Sequence, residues 1–352
     1  MAAFFADGPC RLRPHVKAHK TPAIARRQLD AGSCVGLTCA TVGEAEVVAD
    51  LCGDLLIANE LIGPDTCERA AALARVLRHR FGERGALTVA ADSSTGLERL
   101  SAAAHAAGVT LGVLVDVDVG QRRCGVRGDE VVALARQAAS QSGLRLRGVM
   151  GYEGHVQPER SRVTREALAR AAMTELRAAA DAVRAAGLPC DVISAGGTGT
   201  FDISGRAPGV TEIQAGSYAL MDSDYRDVGV PFEQAFWVLG TVISRPAADR
   251  CVADCGHKSV TKDHALPEVC GIAGARVTAL NDEHAVIALP LSAGPRIGDR
   301  IRLVPSHTDP TMNLHDEVYL IDGDRVLDIW PIAARGYRRG AQQGRGAPDV
   351  TR

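Results

Sequence analysis

The chain has 352 residues, of which 46% are hydrophobic and 23% charged, and this composition excludes a disordered or collagen-like protein. Lysine and arginine total 40 against 42 aspartate and glutamate residues, so the net charge of -2 argues against a nucleic-acid partner. Aromatic residues make up only 4% of the chain, which also argues against base-stacking surfaces.

Two further patterns bear on where the protein is located. No apolar run is long enough to span a membrane, and the first residues show no secretory signal. The ten cysteines are scattered and form no C-x-x-C pair, which is typical of reduced thiols. We therefore expect a cytoplasmic protein with no membrane partner.

Eight short apolar runs alternate with segments of helical periodicity between residue 11 and about residue 217. Apolar strands that alternate with helices indicate a parallel sheet whose outer face is covered. Eight such units predict an α/β fold, a (β/α)8 barrel of the TIM type, with functional residues at the carboxyl ends of the strands. The runs cover residues 11–17, 34–39, 54–58, 87–91, 111–117, 146–152, 190–197 and 210–216.

The pattern changes after about residue 232, where helical periodicity fades and short β-branched runs separated by turn residues take over. These runs predict a second, mainly antiparallel β domain. The last residues are rich in Gly and Arg without apolar periodicity. We therefore predict a barrel over residues 1–232, a β domain over 233–337 and a flexible tail over 338–352.

Lys17 lies at the end of the first run, in the motif RPHVKAHKT. Strand alternation would put it on the same side as Arg13 and His15, pointing into the barrel mouth. Desolvation and neighbouring positive charge both lower the pKa of a lysine, which suits an amine that forms a Schiff base. A surface lysine at a strand end is the simpler interpretation of the position alone.

Two glycine-rich segments follow the seventh and eighth runs, SAGGTGT at 194–200 and QAGSYALMDSDY at 214–225. Adjacent strand ends of this kind offer backbone N–H groups and hydroxyls to a phosphate. Turns without a ligand use the same residue types, so the position after the seventh run is what favours a phosphate site.

Three polar residues follow the fifth and sixth runs, at the predicted mouth of the barrel. Arg123 lies in VDVDVGQRRCGV, and Tyr152 and His155 lie in GYEGH. A histidine in a cleft is the usual general base of an enzyme. Structural roles remain open for all three, such as a loop ion pair for Arg123 and a packing ring for Tyr152.

The segment VPSHTDPTMNLHD, at 304–316, places His307 and Asp309 two residues apart. In an extended segment both side chains would lie on one side and could share a divalent cation. A mixed nitrogen and oxygen pair favours Mn, Co, Mg or Zn. An isolated H-x-D motif is more often a loop than a ligand pair, and we expect the nearby His315 and Asp316 to be structural.

Together, the motifs RPHVKAHKT, GYEGH, AGGTGT, QAGSYALMDSDY and PSHTDPTMNLHD resemble those of the D-threonine aldolase/D-serine dehydratase family, from the first residues to about residue 337. Its members are pyridoxal-phosphate enzymes of the alanine-racemase-like fold type, with an N-terminal barrel and a C-terminal β domain. The resemblance implies pyridoxal 5'-phosphate as cofactor, a small D-amino acid as substrate, and a homodimer in which each site is completed by the second subunit.

The resemblance also implies residue roles. Lys17 would hold the cofactor, with Lys20 as a nearby competitor, and His155 would be the catalytic base. His307 and Asp309 would bind a divalent metal. The further cofactor-binding residues that the resemblance implies are Arg123, Tyr152, Gly197, Thr198, Gly199, Gly216, Ser217 and Tyr218.

The H-x-D pair resembles the aldolase branch, whereas dehydratase-like members resemble H-x-C, a softer pair suited to zinc. The resemblance implies metal-dependent cleavage of a D-threonine-like 3-hydroxyamino acid into glycine and an aldehyde. The substrate amine would displace Lys17, and His155 would take the hydroxyl proton as the Cα–Cβ bond breaks. A 3-hydroxy-D-aspartate aldolase and a D-serine dehydratase, which releases pyruvate and ammonia, remain alternatives.

The sequence departs from the family at one place. Family members have a strand and a helix before RPH-x-K, whereas MAAFFADGPC alone precedes it here. We therefore expect an N-terminally truncated or mis-started chain. A non-catalytic pyridoxal-phosphate-binding protein and a decayed paralogue are the remaining alternatives, and the β domain with its H-x-D pair favours an enzyme over both.

Overall fold

Eight parallel strands form the N-terminal part of the computed structural model, which describes residues 1–291 and 294–336. Every predicted run overlaps one of these strands. Their bounds are β1 (Arg11–Leu12), β2 (Leu37–Cys39), β3 (Asp54–Glu60), β4 (Ala86–Ala91), β5 (Leu111–Asp116), β6 (Leu144–Gly151), β7 (Val192–Ala195) and β8 (Glu212–Ile213).

The strands lie side by side in the order β1-β8-β7-β6-β5-β4-β3-β2. Two single parallel bridges, Leu12 to Cys34 and His15 to Thr38, join the β1 segment to the β2 segment and complete the circle. The predicted eight-stranded barrel is thereby confirmed. A fully buried arginine, Arg13, crosses its interior and pairs with Asp54 at 3.0 Å and Glu212 at 2.9 Å.

Helices cover the outside of the barrel, and their ends carry the expected capping residues. The Ser93 hydroxyl accepts a hydrogen bond from Gly96 N at the start of one helix, which ends at Gly108 in the left-handed conformation. The bounds are α1 (Pro22–Asp30), α2 (Val42–Val48), α3 (Pro64–Phe81), α4 (Ser94–Ala107), α5 (Asp129–Ser140), α6 (Arg162–Ala185), α7 (Phe201–Ser204) and α8 (Ser223–Val228). None of the helices in the described part of the chain is long and apolar enough to cross a membrane.

The C-terminal part is an antiparallel sheet with a separate hairpin, as its β-branched runs predict. Six strands lie in the order β11-β14-β9-β10-β13-β12, and β15 pairs with β16. They are β9 (Val238–Ala247), β10 (Arg250–Ala253), β11 (Glu268–Cys270), β12 (Arg276–Leu280), β13 (Ala285–Ala288), β14 (Arg300–Val304), β15 (Glu317–Asp322) and β16 (Arg325–Pro331), with a short helix α9 (Thr308–Met312) before the hairpin.

The two parts share buried apolar contacts. Ile24 of α1 and Leu220 after β8 belong to the hydrophobic core that fills the antiparallel sheet, together with Val242 and Leu303. Their burial fixes the C-terminal part against the barrel. The predicted tail, 338–352, lies outside the described residues, and the boundary at 232 stays a prediction.

Candidate functional site

Lys17 lies on a short 3-10 helix, Val16–Ala18, and not on the strand that the sequence predicts through residue 17. The strand stops at Leu12 because Pro14 has no N–H group to donate to the sheet. The His15 ring then accepts a hydrogen bond from the backbone N–H of Lys17 at 3.3 Å. The expectation of alternating strand faces up to Lys17 is therefore wrong, although Val16 is buried against the helices as expected.

The amine of Lys17 pairs with the carboxylate of Asp309. Their Nζ and Oδ2 atoms are 3.1 Å apart, with 42% of the lysine side chain and 15% of the aspartate side chain exposed. The charge of Asp309 raises the pKa of Lys17, which overcomes the opposing effect of burial. The expectation that like charge and desolvation would lower this pKa is therefore wrong, because it left out the carboxylate of Asp309.

Only one of the two carboxylate oxygens of Asp309 contacts Lys17. Burial acts to raise its pKa, but the charges of Lys17 and His307 outweigh burial and hold the pKa below its usual range. Its Oδ1 atom is buried and finds no hydrogen-bond partner within the described residues. A buried carboxylate oxygen without a partner is costly, so it marks a place where a cation or donor would bind.

Lys20, the other candidate for holding the cofactor, is paired with a different carboxylate. Lys20 adopts a left-handed backbone conformation with φ of 53°. Its ammonium forms an ion pair with the fully buried Glu44, which also accepts from Ala40 N at 2.6 Å. This pairing engages the amine of Lys20 with a carboxylate other than Asp309.

Tyr152 and Arg123 lie beside Lys17, as the mouth position predicts. The Arg123 guanidinium sits over the Tyr152 ring, 5.6 Å from its centre. Burial raises the pKa of the Tyr152 phenol, while the charge of Lys17 acts in the opposite direction. Together with Asp309, these residues form a charged group at the carboxyl ends of β5 and β6.

His155 lies at the rim rather than inside this group. It is exposed on a 3-10 helix, Gly154–Val156. Its ring packs on Gly120, where an added Cβ would lie 3.1 Å from the His155 Cε1 atom. No hydrogen bond of the ring is found within the part of the chain that the structure describes, so the ring is free to meet a substrate.

The two predicted phosphate turns meet each other. Tyr218 N donates to Thr198 Oγ1 at 3.1 Å, which joins the turn after β7 to the turn after β8. Both turns need glycine, since a Cβ at Gly199 would lie 2.6 Å from a backbone oxygen of Gln157, and one at Gly216 would lie 2.5 Å from that of His15. Gly197 and Ser217 complete the pair of turns.

A buried carboxylate and an amide hold the first turn, and the sequence analysis missed both. Glu153 accepts from Gly196 N at 3.2 Å, Thr200 Oγ1 at 2.7 Å and Ser204 Oγ at 2.6 Å. Gln157 Oε1 accepts from Gly199 N at 2.8 Å. Glu153 was visible in GYEGH, where a carboxylate in a glycine-rich strand end has to find donors inside the protein.

His307 and Asp309 do not lie on an extended segment as expected. His307 is the residue before α9, and Asp309 lies in its first turn, where Pro310 also fits. Asp222 fixes this arrangement, because its Oδ2 accepts from Thr308 N at 3.0 Å. The same aspartate caps α8 by accepting from Tyr225 N at 3.0 Å, so it joins the barrel to α9.

Two more residues near His307 were not predicted. Asp263 Oδ2 lies 2.7 Å from His307 Nδ1, and the rings of His264 and His307 stack with centres 4.3 Å apart. Asp263, His264 and His307 offer ligand atoms that all lie within 4.8 Å of one another. Their separation in sequence hides the cluster, since Asp263 and His307 are 44 positions apart along the chain.

His315 and Asp316 take structural roles, as expected. The His315 Nε2 atom contacts the Ser259 carbonyl at 2.7 Å, and Asp316 forms an ion pair with Arg335. A second acidic cluster, made of Glu60, Asp92 and Cys124, lies at the ends of β3 and β4. Burial and the charge of Glu60 raise the pKa of the neighbouring Asp116.

Two family models match the chain. Residues 1–224 match the alanine racemase N-terminal domain, and residues 235–321 match a serine dehydratase domain. A D-threonine aldolase from Arthrobacter sp. is 43% identical over 335 residues, which cover 93% of this chain and 86% of that protein. The chain belongs to the D-threonine aldolase/D-serine dehydratase family.

Other members of this family are similar over comparable lengths. A 3-hydroxy-D-aspartate aldolase from Paracoccus denitrificans (strain Pd 1222) is 35% identical, with 93% of this chain and 85% of that protein covered. The crystal structure of D-threonine aldolase from Filomicrobium marinum superposes with a TM-score of 0.89 at 39% identity, covering 95% of this chain and 90% of that one.

A dehydratase shares the fold as well. The D-threo-3-hydroxyaspartate dehydratase from Delftia sp. HT23 has a TM-score of 0.84 at 29% identity, covering 95% of this chain and 93% of that one. Its solved variants include one in which a histidine is replaced by alanine, and a metal-free one in which a cysteine two positions later is replaced. Membership of the family, with its alanine-racemase-like barrel, implies pyridoxal phosphate as the cofactor.

Proposed function

We propose that this chain is a pyridoxal-phosphate- and divalent-metal-dependent aldolase that cleaves D-3-hydroxyamino acids such as D-threonine into glycine and an aldehyde. The observation that carries the proposal is the pairing of Lys17 with Asp309 at 3.1 Å, which leaves Asp309 Oδ1 buried and without a partner in the described residues. An amine that could hold the cofactor thus adjoins a carboxylate that could hold the metal.

The residues at the barrel mouth fit the cofactor. Lys17 would hold its aldehyde carbon, and Gly197, Thr198 and Gly199 with Gly216, Ser217 and Tyr218 would hold its phosphate. The cradle is supported by the lack of room for a Cβ at both turns, which lets backbone N–H groups approach an anion. Arg123 and Tyr152 would line the cofactor ring. When bound, the cofactor supplies an electron sink for the negative charge that bond cleavage leaves on Cα.

The second group of residues fits a divalent metal. Asp309 offers a buried oxygen without a partner, and the His307 ring is held at Nδ1 by Asp263, so Nε2 is left to bind an ion. A nitrogen and a carboxylate oxygen suit Mn, Co, Mg or Zn. A metal bound there supplies a Lewis acid that lowers the pKa of a substrate hydroxyl.

The chain's own residues would carry out the proton transfer and orient the substrate. The exposed His155 ring would take the proton from the substrate β-hydroxyl, because no described residue occupies its ring nitrogens. As the proton leaves, the Cα–Cβ bond breaks and the aldehyde departs. Return of a proton to Cα, from the protonated His155 or from water, would then give glycine as the amino-acid product. The positive charge of Arg123 at the mouth would orient the substrate carboxylate.

A dehydratase is the second candidate, since a family member with this fold carries that activity in its name. The solved variants of that dehydratase concern a histidine and a cysteine two positions apart, whereas the corresponding spacing here holds His307 and Asp309. The harder carboxylate ligand supports an aldolase with a harder ion. A 3-hydroxy-D-aspartate substrate remains within the aldolase proposal, in keeping with the Paracoccus relative.

The assay that tests the proposal identifies products. Purified protein loaded with cofactor is incubated with D-threonine, with and without Mn2+, and glycine and acetaldehyde are quantified; L-threonine is the control. We expect Mn2+-dependent glycine from the D-isomer, abolished by a chelator. D-3-hydroxyaspartate should yield glycine and glyoxylate. Pyruvate and ammonia from D-serine, without glycine from D-threonine, would assign the dehydratase reaction.

We further propose a homodimer in the reducing cytoplasm. The β15–β16 hairpin exposes a cluster of apolar side chains, which a second copy would cover. All ten cysteines, each among the described residues, are free thiols. Sedimentation velocity at micromolar concentration should give a dimer, and a monomer would contradict the proposal. The exposed hairpin side chains are Tyr319, Ile321, Val326, Leu327 and Ile329.

A further inference from the structure

Two histidines stack at the mouth, and each is held by its own aspartate. The rings of His264 and His307 lie 4.3 Å apart with an angle of 12° between them. Asp263 Oδ2 lies 2.7 Å from His307 Nδ1, and Asp224 Oδ2 lies 2.7 Å from His264 Nδ1. A carboxylate accepts hydrogen bonds, so each Nδ1 donates its proton to the aspartate, which is the tautomer that presents Nε2 to a metal ion.

The contact between Asp263 and His307 is part of a closed ring of hydrogen bonds. Thr261 Oγ1 donates to Asp263 Oδ1 at 2.8 Å, which leaves Oδ2 aimed at the imidazole. Thr261 N donates to Thr311 Oγ1 at 3.2 Å, and Thr311 Oγ1 donates to the His307 carbonyl at 3.0 Å. The ring therefore fixes the backbone of His307 and its side chain at once.

We propose that Asp263 is a positioning residue for the metal. It holds the His307 imidazole in one tautomer and one orientation, so that Nε2 can bind a divalent cation together with Asp309 Oδ1. The inference rests on the proposed function, since it takes His307 as a metal ligand. A carboxylate that accepts a hydrogen bond from the non-ligating ring nitrogen of a metal-bound histidine typically raises metal affinity about 10- to 100-fold.

A competing arrangement uses the same cluster differently. Asp263, His264 and His307 could themselves surround an ion, since their ligand atoms lie within 4.8 Å of one another. The hydrogen bonds favour positioning, because Asp263 Oδ2 and His307 Nδ1 already satisfy each other at 2.7 Å. His264 Nε2 lies 3.9 Å from Asp263 Oδ2, beyond hydrogen-bond distance. The two arrangements predict different effects of removing the aspartate on His264.

The experiment measures Mn2+ binding to the cofactor-loaded protein by the electron paramagnetic resonance signal of free Mn2+. Asp263→Asn is compared with Asp224→Asn, a matched control that removes the same charge from the neighbouring histidine. We expect Asp263→Asn to raise the Mn2+ dissociation constant by about 10- to 100-fold, and Asp224→Asn to leave it at the wild-type value. Thr261→Val, which removes the hydroxyl bonded to Asp263 Oδ1 and Asp263 N but leaves the carboxylate beside His307, should give a smaller rise.

The cofactor's visible absorbance in the same samples separates a local effect from a loss of folding, because Lys17 and the phosphate turns lie outside this ring of hydrogen bonds. Wild-type affinity in both Asp263→Asn and Thr261→Val would overturn the inference while leaving the proposed function intact. An equal loss in Asp224→Asn would also overturn it, in favour of His264 as a ligand. Unchanged Mn2+ binding in His307→Ala would remove the metal site of the proposed function itself.

Discussion

The ammonium of Lys17 lies 3.1 Å from Oδ2 of Asp309. This ion pair joins the first turn after β1 to α9, which is close to the other end of the sequence. The barrel contributes the positive partner and the C-terminal part contributes the negative one. Each residue therefore sets the charge of the other, and a change at either position alters both halves of the site.

Replacing Lys17 by alanine should abolish the visible absorbance of bound pyridoxal phosphate and the release of glycine, because the amine that would hold the cofactor is gone. Absorption spectroscopy of the purified protein checks this. The matched control is the double variant Lys20→Met/Glu44→Gln, which removes a neighbouring lysine and its buried partner together. That control should keep the absorbance. Absorbance that persists in Lys17→Ala and is lost in the double variant would assign the cofactor to Lys20.

Replacing Asp309 by cysteine should shift the metal preference from Mn2+ towards Zn2+. A thiolate is a softer ligand than a carboxylate, and soft ligands favour zinc. Competition between the two ions, followed by direct metal analysis of the protein, measures the shift. The variant Asp316→Cys, close by but paired with Arg335, is the control and should keep the original preference. An unchanged preference in Asp309→Cys would argue against Asp309 as a ligand.

Replacing Glu153 by glutamine should weaken cofactor binding. Glu153 accepts two hydrogen bonds from the turn after β7 and one from Ser204 of α7, and an amide can accept at only one of its two terminal atoms. A buried donor left without a partner costs about 1–3 kcal/mol, so the dissociation constant for pyridoxal phosphate should rise about tenfold. Fluorescence titration measures it. Glu175→Gln, on the exposed side of α6, should bind as the wild type does.

His19 should make the protein less stable in mild acid. Burial lowers the pKa of its imidazole from 6.5 to about 4, while Gln28 and Thr21 hold it through hydrogen bonds. Below about pH 6.5 the unfolded chain takes up a proton that the folded chain refuses, so stability falls as the pH decreases towards 4. The loss from this group between about pH 6.5 and about pH 5 is ~2 kcal/mol.

Urea unfolding at both pH values tests this expectation. His19→Gln should reduce the difference in the free energy of unfolding between the two pH values, whatever its effect on stability at neutral pH. The exposed His105 on α4 is the matched control, and its replacement by glutamine should leave the difference at the wild-type value. A difference that survives in His19→Gln would mean that other groups cause the acid sensitivity.

The barrel could be predicted from the sequence because the pattern of apolar runs and helices is repeated eight times. Each of the eight apolar runs, and each helix between them, indicates the same arrangement locally, and a strand of the structure overlaps every run. The local geometry of the site was not accessible in the same way. Lys17 leaves the predicted strand because the His15 side chain takes its N–H, and Asp309 enters a helix because Asp222, far along the chain, caps Thr308.

The residues that support the site were the hardest to predict. Asp263 and Glu153 act through partners 44 and 43–51 positions away, and no periodic pattern carries information over such distances. Glu153 was nevertheless part of a motif that the sequence analysis singled out. It stands between Tyr152 and His155, and a carboxylate in a buried strand end is a more unusual feature than either neighbour.

Lys17 belongs to the barrel and Asp309 to α9 in the C-terminal part, and this division has a consequence for how the site can change. A substitution in α9 can alter the carboxylate without altering the lysine or the glycine turns, since these belong to different parts of the chain. Such a substitution has to leave the hydrogen bond from Thr308 N to Asp222 in place, because that bond connects the start of α9 to the barrel.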